Sequence, residues 1–300
     1  MSPEAPYRSG FACLVGRPNT GKSTLTNALV GTKVAITSGR PQTTRHAVRG
    51  VVHRPDGQLV LVDTPGFHRP RTLLGERLND VVLSTLAEVD VIVFCVPADQ
   101  KVGPGDRFIA DRIAGARTPT VAVVTKTDAA GNEQVAERLL EVSALGEWAE
   151  VVPVSAVAGQ QVDLLERLLM GLLPAGPALY PEGELTDEPE AVMVAELVRE
   201  AALEGVRDEL PHSLAVVVDE MVPRPDHPRG LVDVRCDVYV ERPSQKAIVI
   251  GQKGARLKQV GTRARKQIEA LLGTPVYLDL HVRVAPDWQR DPKQLRKLGF

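Results

Sequence analysis

Residues 16–23 read Gly-Arg-Pro-Asn-Thr-Gly-Lys-Ser, two glycines bracketing four residues and followed by Lys-Ser. That pattern demands a tight loop opening directly onto a helix, because only there do successive backbone N–H groups converge on phosphate oxygens. The helix N-terminus adds its own partial positive charge. Gly16, Arg17, Pro18, Asn19, Thr20, Gly21, Lys22, Ser23 and Thr24 are therefore the candidate phosphate-loop residues. Lys22 is placed to reach the outer phosphates and Ser23 to ligate magnesium through its hydroxyl. The flanks agree: Phe11 to Val15 reads as a short buried strand and Thr24 to Val30 as an amphipathic helix. The segment predicts binding of a nucleoside triphosphate.

The choice of nucleotide is set further along. Leu59 to Asp63 is an apolar strand ending in an acid, followed by Thr64, Pro65 and Gly66. Asp63 can hold magnesium through water, and the Gly66 N–H can meet the terminal phosphate. Taken alone, this is also how a strand followed by a Pro-Gly turn reads. A second apolar strand, Val121 to Val124, leads into Thr125, Lys126, Thr127 and Asp128. The Asp128 carboxylate can accept two hydrogen bonds from the N1–H and amino group of guanine. Adenine offers no such pair, so GTP is expected over ATP. The Lys126 stem can lie along the base, and the backbone of Ser155 and Ala156, after the strand Val151 to Val154, can meet the guanine carbonyl.

With those motifs in this order, the chain resembles the translation-factor class of small GTPases, and specifically the bacterial Era family. Ser38-Gly39-Arg40-Pro41-Gln42-Thr43-Thr44-Arg45-His46 matches that family's first switch. Asp187-Glu188-Pro189-Glu190 and Arg207-Asp208-Glu209-Leu210-Pro211-His212-Ser213 match its second domain, and the match runs nearly end to end. One residue departs: the guanine motif usually begins with Asn, which ties the base loop to the phosphate loop, and Thr125 is expected to weaken that brace. The expected magnesium set is Ser23, Thr44 and Asp63, with Thr43 the alternative to Thr44. Lys22, Thr44, Asp63 and Gly66 form the expected catalytic set.

Many GTPases place a Gln after the glycine of this switch to orient the attacking water, and here the position is Phe67. An aromatic ring cannot aim water by hydrogen bonding, so slow intrinsic turnover is expected. Asn19 reads equally as a turn former or, by likeness to related GTPases, as a residue that helps hold potassium near the phosphates. His46 and His68 lie near the switches, and neither is assigned as a base.

The 300 residues suggest about two domains. Strand and helix alternation through residue 173 implies a mostly parallel sheet with helices on both faces, its ligand at the strand C-termini. The fold class expected is thus α/β, a P-loop GTPase domain followed by an α+β type II KH domain. The domains are expected at 1–180, an Era-type G domain, and 181–300, a KH domain, with a Pro- and Gly-rich linker at about 174–189. Cys13, Cys95 and Cys236 make no CxxC pair and are expected to be plain buried thiols of a reducing cytoplasm. The N-terminal residues lack the apolar core of a signal peptide. No apolar run approaches the roughly 18 residues of a membrane span.

The net charge of −2 conceals a split. Residues 182–241 hold 16 acidic against 5 basic residues, and residues 242–300 hold 13 basic against 4 acidic. A basic end of this kind is an electrostatic footprint for nucleic acid. Its elements read as a helix from Glu190 to Glu209, strands Leu214 to Val222 and Leu231 to Val240, a helix Gln245 to Ile250, a basic helix to Leu272 and a strand Val276 to Val284. Gly251-Gln252-Lys253-Gly254 joins the two later helices in the order of a KH domain, whose GxxG loop clamps a nucleic-acid backbone. Arg256 and Lys258 are the basic residues that follow, whereas Arg263, Arg265 and Lys266 read individually as a solvated helix face.

The resemblance implies binding of small-subunit ribosomal RNA near its 3′ end; assistance to assembly of the 30S subunit is expected with it, and the chain is expected to be a monomer. A membrane-associated regulatory GTPase, whose basic end meets anionic lipid at the inner face of the cell membrane, is the alternative. An RNA chaperone with vestigial GTPase activity is a third, which intact Lys22, Ser23 and Asp63 oppose.

Overall fold

The computed structural model describes residues 6–38, 43–67, 70, 72–206, 210–224, 227 and 230–300. The switch residues Gly39, Arg40, Pro41 and Gln42, together with His68, Arg207, Asp208 and Glu209, lie outside the described residues. The chain divides into two compact units, the first made mostly of residues up to Asp187 and the second running from Glu188 to Phe300.

The first unit runs β1 (Arg8–Val15), α1 (Lys22–Val30), β2 (Val48–Arg54), β3 (Gly57–Asp63), α2 (Leu73–Glu88), β4 (Val91–Pro97), α3 (Pro104–Ala114), β5 (Thr120–Thr125), α4 (Asn132–Ser143), β6 (Glu150–Pro153) and α5 (Val162–Leu172). The sheet order is β2-β3-β1-β4-β5-β6, parallel except for β2, which pairs antiparallel with β3. Every residue of β3, β4 and β5 is buried, which is why these strands read as unbroken apolar runs under helices on both faces. Period-two alternation sends Ala12 and Leu14 into a core with Leu25, Leu61 and Leu165. Cys13 and Val15 enter the opposite core with Val82, Phe94 and Ile109. Leu14 lies in register with Asp63, so the loop after β1 and the turn after β3 leave the sheet side by side.

The expected linker is not loose. Residues 179–187 lie along β2, the edge strand, with Val51 N–H donating to the Leu185 carbonyl at 2.9 Å. Gln58 accepts from the amides of Leu179 (2.6 Å) and Tyr180 (2.9 Å), and Arg49 pairs with Asp187 at 2.8 Å. Partial burial by itself would raise the Asp187 carboxyl, but hydrogen bonds from Arg49 and Tyr180 outweigh it and hold the group below its usual value.

The second unit comprises α6 (Glu190–Leu203), α7 (Leu210–Ser213), β7 (Ala215–Arg224), β8 (Leu231–Val240), α8 (Pro243–Ile250), α9 (Ala255–Leu272), β9 (Val276–Val284) and α10 (Pro292–Lys297). Its sheet is β7-β8-β9, antiparallel then parallel. The helix expected through Glu209 stops at Leu203: Glu204 turns to extended geometry and Gly205 takes φ 71°. A glycine in the left-handed region ends a helix at no steric cost, and the Arg256 guanidinium donates to the carbonyls of Ala202 (3.3 Å) and Glu204 (2.7 Å).

Beyond β9 the sequence reading named no element. There Trp288 is fully buried, donates to the Ser213 carbonyl at 3.0 Å and stacks on Phe300. All three cysteines are free and buried, and burial pushes Cys95 and Cys236 up to about 12 and Cys13 higher still. Among the described residues no helix is long and apolar enough to cross a membrane.

Candidate functional site

The loop between β1 and α1 is built by close approach. A Cβ on Gly16 would fall 2.6 Å from the Cys95 carbonyl oxygen and 2.7 Å from the Thr20 hydroxyl, and Asn19 and Gly21 adopt φ of 64° and 89°. The Lys22 ammonium is buried and donates to the carbonyls of Gly16 (3.2 Å) and Arg17 (3.0 Å). Burial depresses its pKa, and the nearby Asp63 opposes that shift. Such a desolvated cation inside a ring of amides is suited to an anionic ligand.

Asp63 sits at the end of β3, fully buried. Ser23 donates to its Oδ2 at 2.6 Å and Thr44 to the same oxygen at 3.0 Å, with the two hydroxyls 2.9 Å apart. Its Oδ1 is buried with no hydrogen-bond partner. Burial raises the carboxyl, opposed by Lys22 and the two hydroxyls. An orphaned carboxylate oxygen beside two hydroxyls is the all-oxygen donor set of a hard divalent cation, and these three residues fit magnesium. Thr43 turns its hydroxyl toward the Ser38 carbonyl, at 3.5 Å, so the geometry favours Thr44 for this place.

The turn after β3 rests on the phosphate loop. A Cβ on Gly66 would lie 2.7 Å from the backbone of Pro18, and Phe67 N–H donates to the Gly16 carbonyl at 3.1 Å. Thr64 donates to the Leu14 carbonyl at 2.7 Å, and Pro65 is buried. At the other end, Asp128 accepts from Ser155 Oγ at 2.5 Å, joining the loops after β5 and β6. The Ser155 amide donates to the Gln160 carbonyl at 3.1 Å, so within this pair contact with a guanine carbonyl falls to Ala156. Lys126 adopts a left-handed conformation, and a Cβ on Gly21 would lie 3.9 Å from its Cγ, so its stem runs beside the phosphate loop.

In the second unit, α8 ends at Gly251 (φ 72°), and Lys253 (φ 49°) and Gly254 (φ 79°) turn the chain into α9. A Cβ on Gly251 would fall 2.7 Å from the Arg256 Cβ, whereas Gln252 and Lys253 are exposed. Between α9 and β9 lies a groove of about 370 Å³, lined among others by Gly254, Leu257, Lys258, Arg265, Tyr277 and Leu280. An apolar floor flanked by cations can take unstacked bases with their phosphates outside. On the sheet, Arg224 pairs with Asp233, Arg235 with Glu220 and Arg283 with Asp237, so these cations already have acidic partners.

Both parts of the chain match known families. Residues 11–126 match the family model for 50S ribosome-binding GTPases, and residues 209–289 match the KH domain model. GTPase Era of Streptomyces coelicolor is 71% identical, with 99% of this chain and 96% of that protein aligned. GTPase Era of a Nocardioides species is 66% identical, over 99% of this chain and 98% of that one.

The chain belongs to the GTPase Era family.

Among solved structures, it is similar to Era in complex with MgGDPNP and nucleotides 1506–1542 of 16S ribosomal RNA, at TM-score 0.94 and 39% identity over 98% of this chain and 99% of that one. An Aquifex aeolicus Era variant bound to GDP and AlF4− matches at TM-score 0.93 and 38% identity, over 97% and 99% of the two chains. The chain is accordingly a GTPase with the Era pairing of a P-loop domain and a KH domain.

At the position where the Asn brace is expected to weaken, Thr125 makes a tie of its own between base loop and phosphate loop, its hydroxyl donating to the Thr20 carbonyl at 2.6 Å. The half-buried Arg256 guanidinium is engaged at the end of α6, where it donates to the carbonyls of Ala202 and Glu204, while Arg263 pairs with Glu204. Arg265, read from sequence as a solvated residue, lines the groove seven residues beyond Lys258, two helical turns along the same face. That spacing was the available signal. Tyr277, exposed at the start of β9, gave none, because an aromatic in a strand reads first as packing.

Proposed function

We propose that this Era-family protein is a GTP-hydrolysing switch that binds small-subunit ribosomal RNA near its 3′ end and assists 30S assembly. The observation that carries the reading is the likeness along 98% of the chain to an Era structure holding MgGDPNP and nucleotides 1506–1542 of 16S RNA. The groove beside the GxxG turn supports it, since apolar floor and flanking cations suit a single strand. We assign nucleotide chemistry to residues 1–180 and RNA recognition to residues 181–300, in the cytoplasm.

In this reading Gly16 to Thr24 cradle the phosphates, Lys22 shifts from loop carbonyls to phosphate oxygens, and Asp128 with Lys126 and Ala156 reads guanine. Ser23, Thr44 and Asp63 hold magnesium, which supplies neutralisation of phosphate charge when bound. Thr44 lies in the first switch, so its ligation orders that segment in the triphosphate state and hydrolysis releases it. Asn19, at φ 64°, either shapes the turn or helps hold potassium near the phosphates: hydrolysis faster in potassium than in sodium chloride, with the difference erased by Asn19→Ala, supports the second, and equal rates in the two salts the first.

Co-sedimentation with 30S subunits and with anionic liposomes tests the assignment. Pelleting with subunits and recovery of 16S 3′-end sequence after crosslinking are expected. Pelleting with liposomes alone would favour the membrane-associated alternative.

A further inference from the structure

The helix α3 touches both the phosphate loop and the turn after β3. In its first turn Asp106, fully buried, accepts from Arg17 of the phosphate loop at 2.7 Å and from the Gly103 amide at 2.8 Å. Gly105 makes room for this: a Cβ there would lie 2.6 Å from the Arg17 side chain. Two residues beyond Asp106, Phe108 stacks on Phe67 with ring centroids 5.6 Å apart and planes 19° from parallel. Phe67 is sunk in the core between the sheet and α2 and α3, whereas Phe108 is 46% exposed, with the Arg112 guanidinium 5.8 Å from its ring centre.

We propose that Phe108 is a positioning residue for GTP hydrolysis, which by stacking on Phe67 fixes the Gly66–Phe67 main chain against the phosphate loop. Phe67 stands where other GTPases carry a water-orienting Gln, and its ring cannot aim water. What remains is the backbone, and that backbone is in contact with the loop: Gly66 has no room for a Cβ over Pro18, and the Phe67 amide is bonded to Gly16. The buried Phe67 ring anchors the segment it belongs to, so a cavity opened beside that ring lets the adjoining Gly66–Phe67 main chain settle away from the phosphate loop. Displacements near 1 Å cost on the order of a hundredfold in catalysis, so a lost stack that shifts the amide by less is expected to cost about tenfold. The Arg17–Asp106 pair fixes the loop from the same helix turn, so α3 sets the separation of the two parts.

The inference rests on GTP hydrolysis alone and is independent of the RNA reading. The test is single-turnover hydrolysis and nucleotide affinity in native protein, Phe108→Ala, Phe108→Tyr, Phe67→Ala and the Phe67→Ala/Phe108→Ala double variant. Phe108→Ala is expected to slow hydrolysis about tenfold with GTP and GDP affinities essentially unchanged, and Phe108→Tyr to restore the rate. In the Phe67→Ala background, Phe108→Ala is expected to have no further effect, because it acts through that ring. Native rates in Phe108→Ala, a parallel loss of GDP affinity, or independent multiplying losses in the double variant would each overturn the proposal. Native protein hydrolyses GTP in the same assay, which keeps failure of the proposal separate from failure of the activity.

Discussion

The Thr125 hydroxyl donates to the carbonyl of Thr20 across 105 residues of chain, at 2.6 Å, in a fully enclosed setting. A shorter side chain thereby replaces the Asn that usually makes the tie between base loop and phosphate loop. Thr125→Val keeps the shape and removes the donor, leaving a buried carbonyl unpaired at a cost of about 1–3 kcal/mol. Weaker GDP and GTP binding is the expected result by titration calorimetry, with Thr125→Asn near native. Native affinity in Thr125→Val would remove the brace from the account.

Asp128→Asn tests base choice. The variant side chain presents an amide where guanine needs two acceptor contacts, and losing those charge-assisted bonds should cost about 3 kcal/mol. Preference should pass to xanthosine triphosphate, read by competition binding. The Asp128–Ser155 bond makes Ser155→Ala a milder variant with the same direction.

Thr44→Ala removes one of two hydroxyls on Asp63. With Thr44 engaged only in the triphosphate state, hydrolysis and magnesium-dependent GTP binding should fall while GDP binding holds. Equal losses for both nucleotides would point to a folding defect instead.

The strap on β2 carries a pH signature. Asp187 is held below its ordinary value, so its pairing stabilises the fold above the unfolded carboxyl pKa of about 3.9 and is lost as pH falls through the lower folded value. Because Arg49 and Asp187 are 49% and 28% exposed, solvent screening limits the effect to below about 1 kcal/mol. Urea unfolding of Asp187→Asn should show a small deficit at pH 7 that vanishes near the acid limit.

Much of the nucleotide site was legible because its determinants are local. Gly16 and Gly21 shape the loop by sterics, and Asp63, Thr125 and Ser155 sit at or just beyond the ends of strands whose apolar runs announce them. The strap escaped notice because residues 179–187 bond through backbone groups, which leave no periodicity. For Arg256 the sequence gives the charge but not the bonds its guanidinium makes to the end of α6. The Phe67–Phe108 stack joins positions 41 residues apart with no shared pattern. The start of α10 is written locally in Asp291-Pro292, a capping acid before a proline at the first helical position.

The most direct measurement is filter binding of the 3′-end segment of 16S ribosomal RNA across a salt series, for native protein and for Gln252→Asp/Lys253→Asp. Both residues are exposed on the GxxG turn, so the acids meet the phosphodiester chain without disturbing the core. Native affinity should fall with salt at a slope of about −0.7 per phosphate neutralised. The double variant should bind far more weakly while hydrolysing GTP at the native rate. RNA binding as tight as native in the double variant would contradict the account.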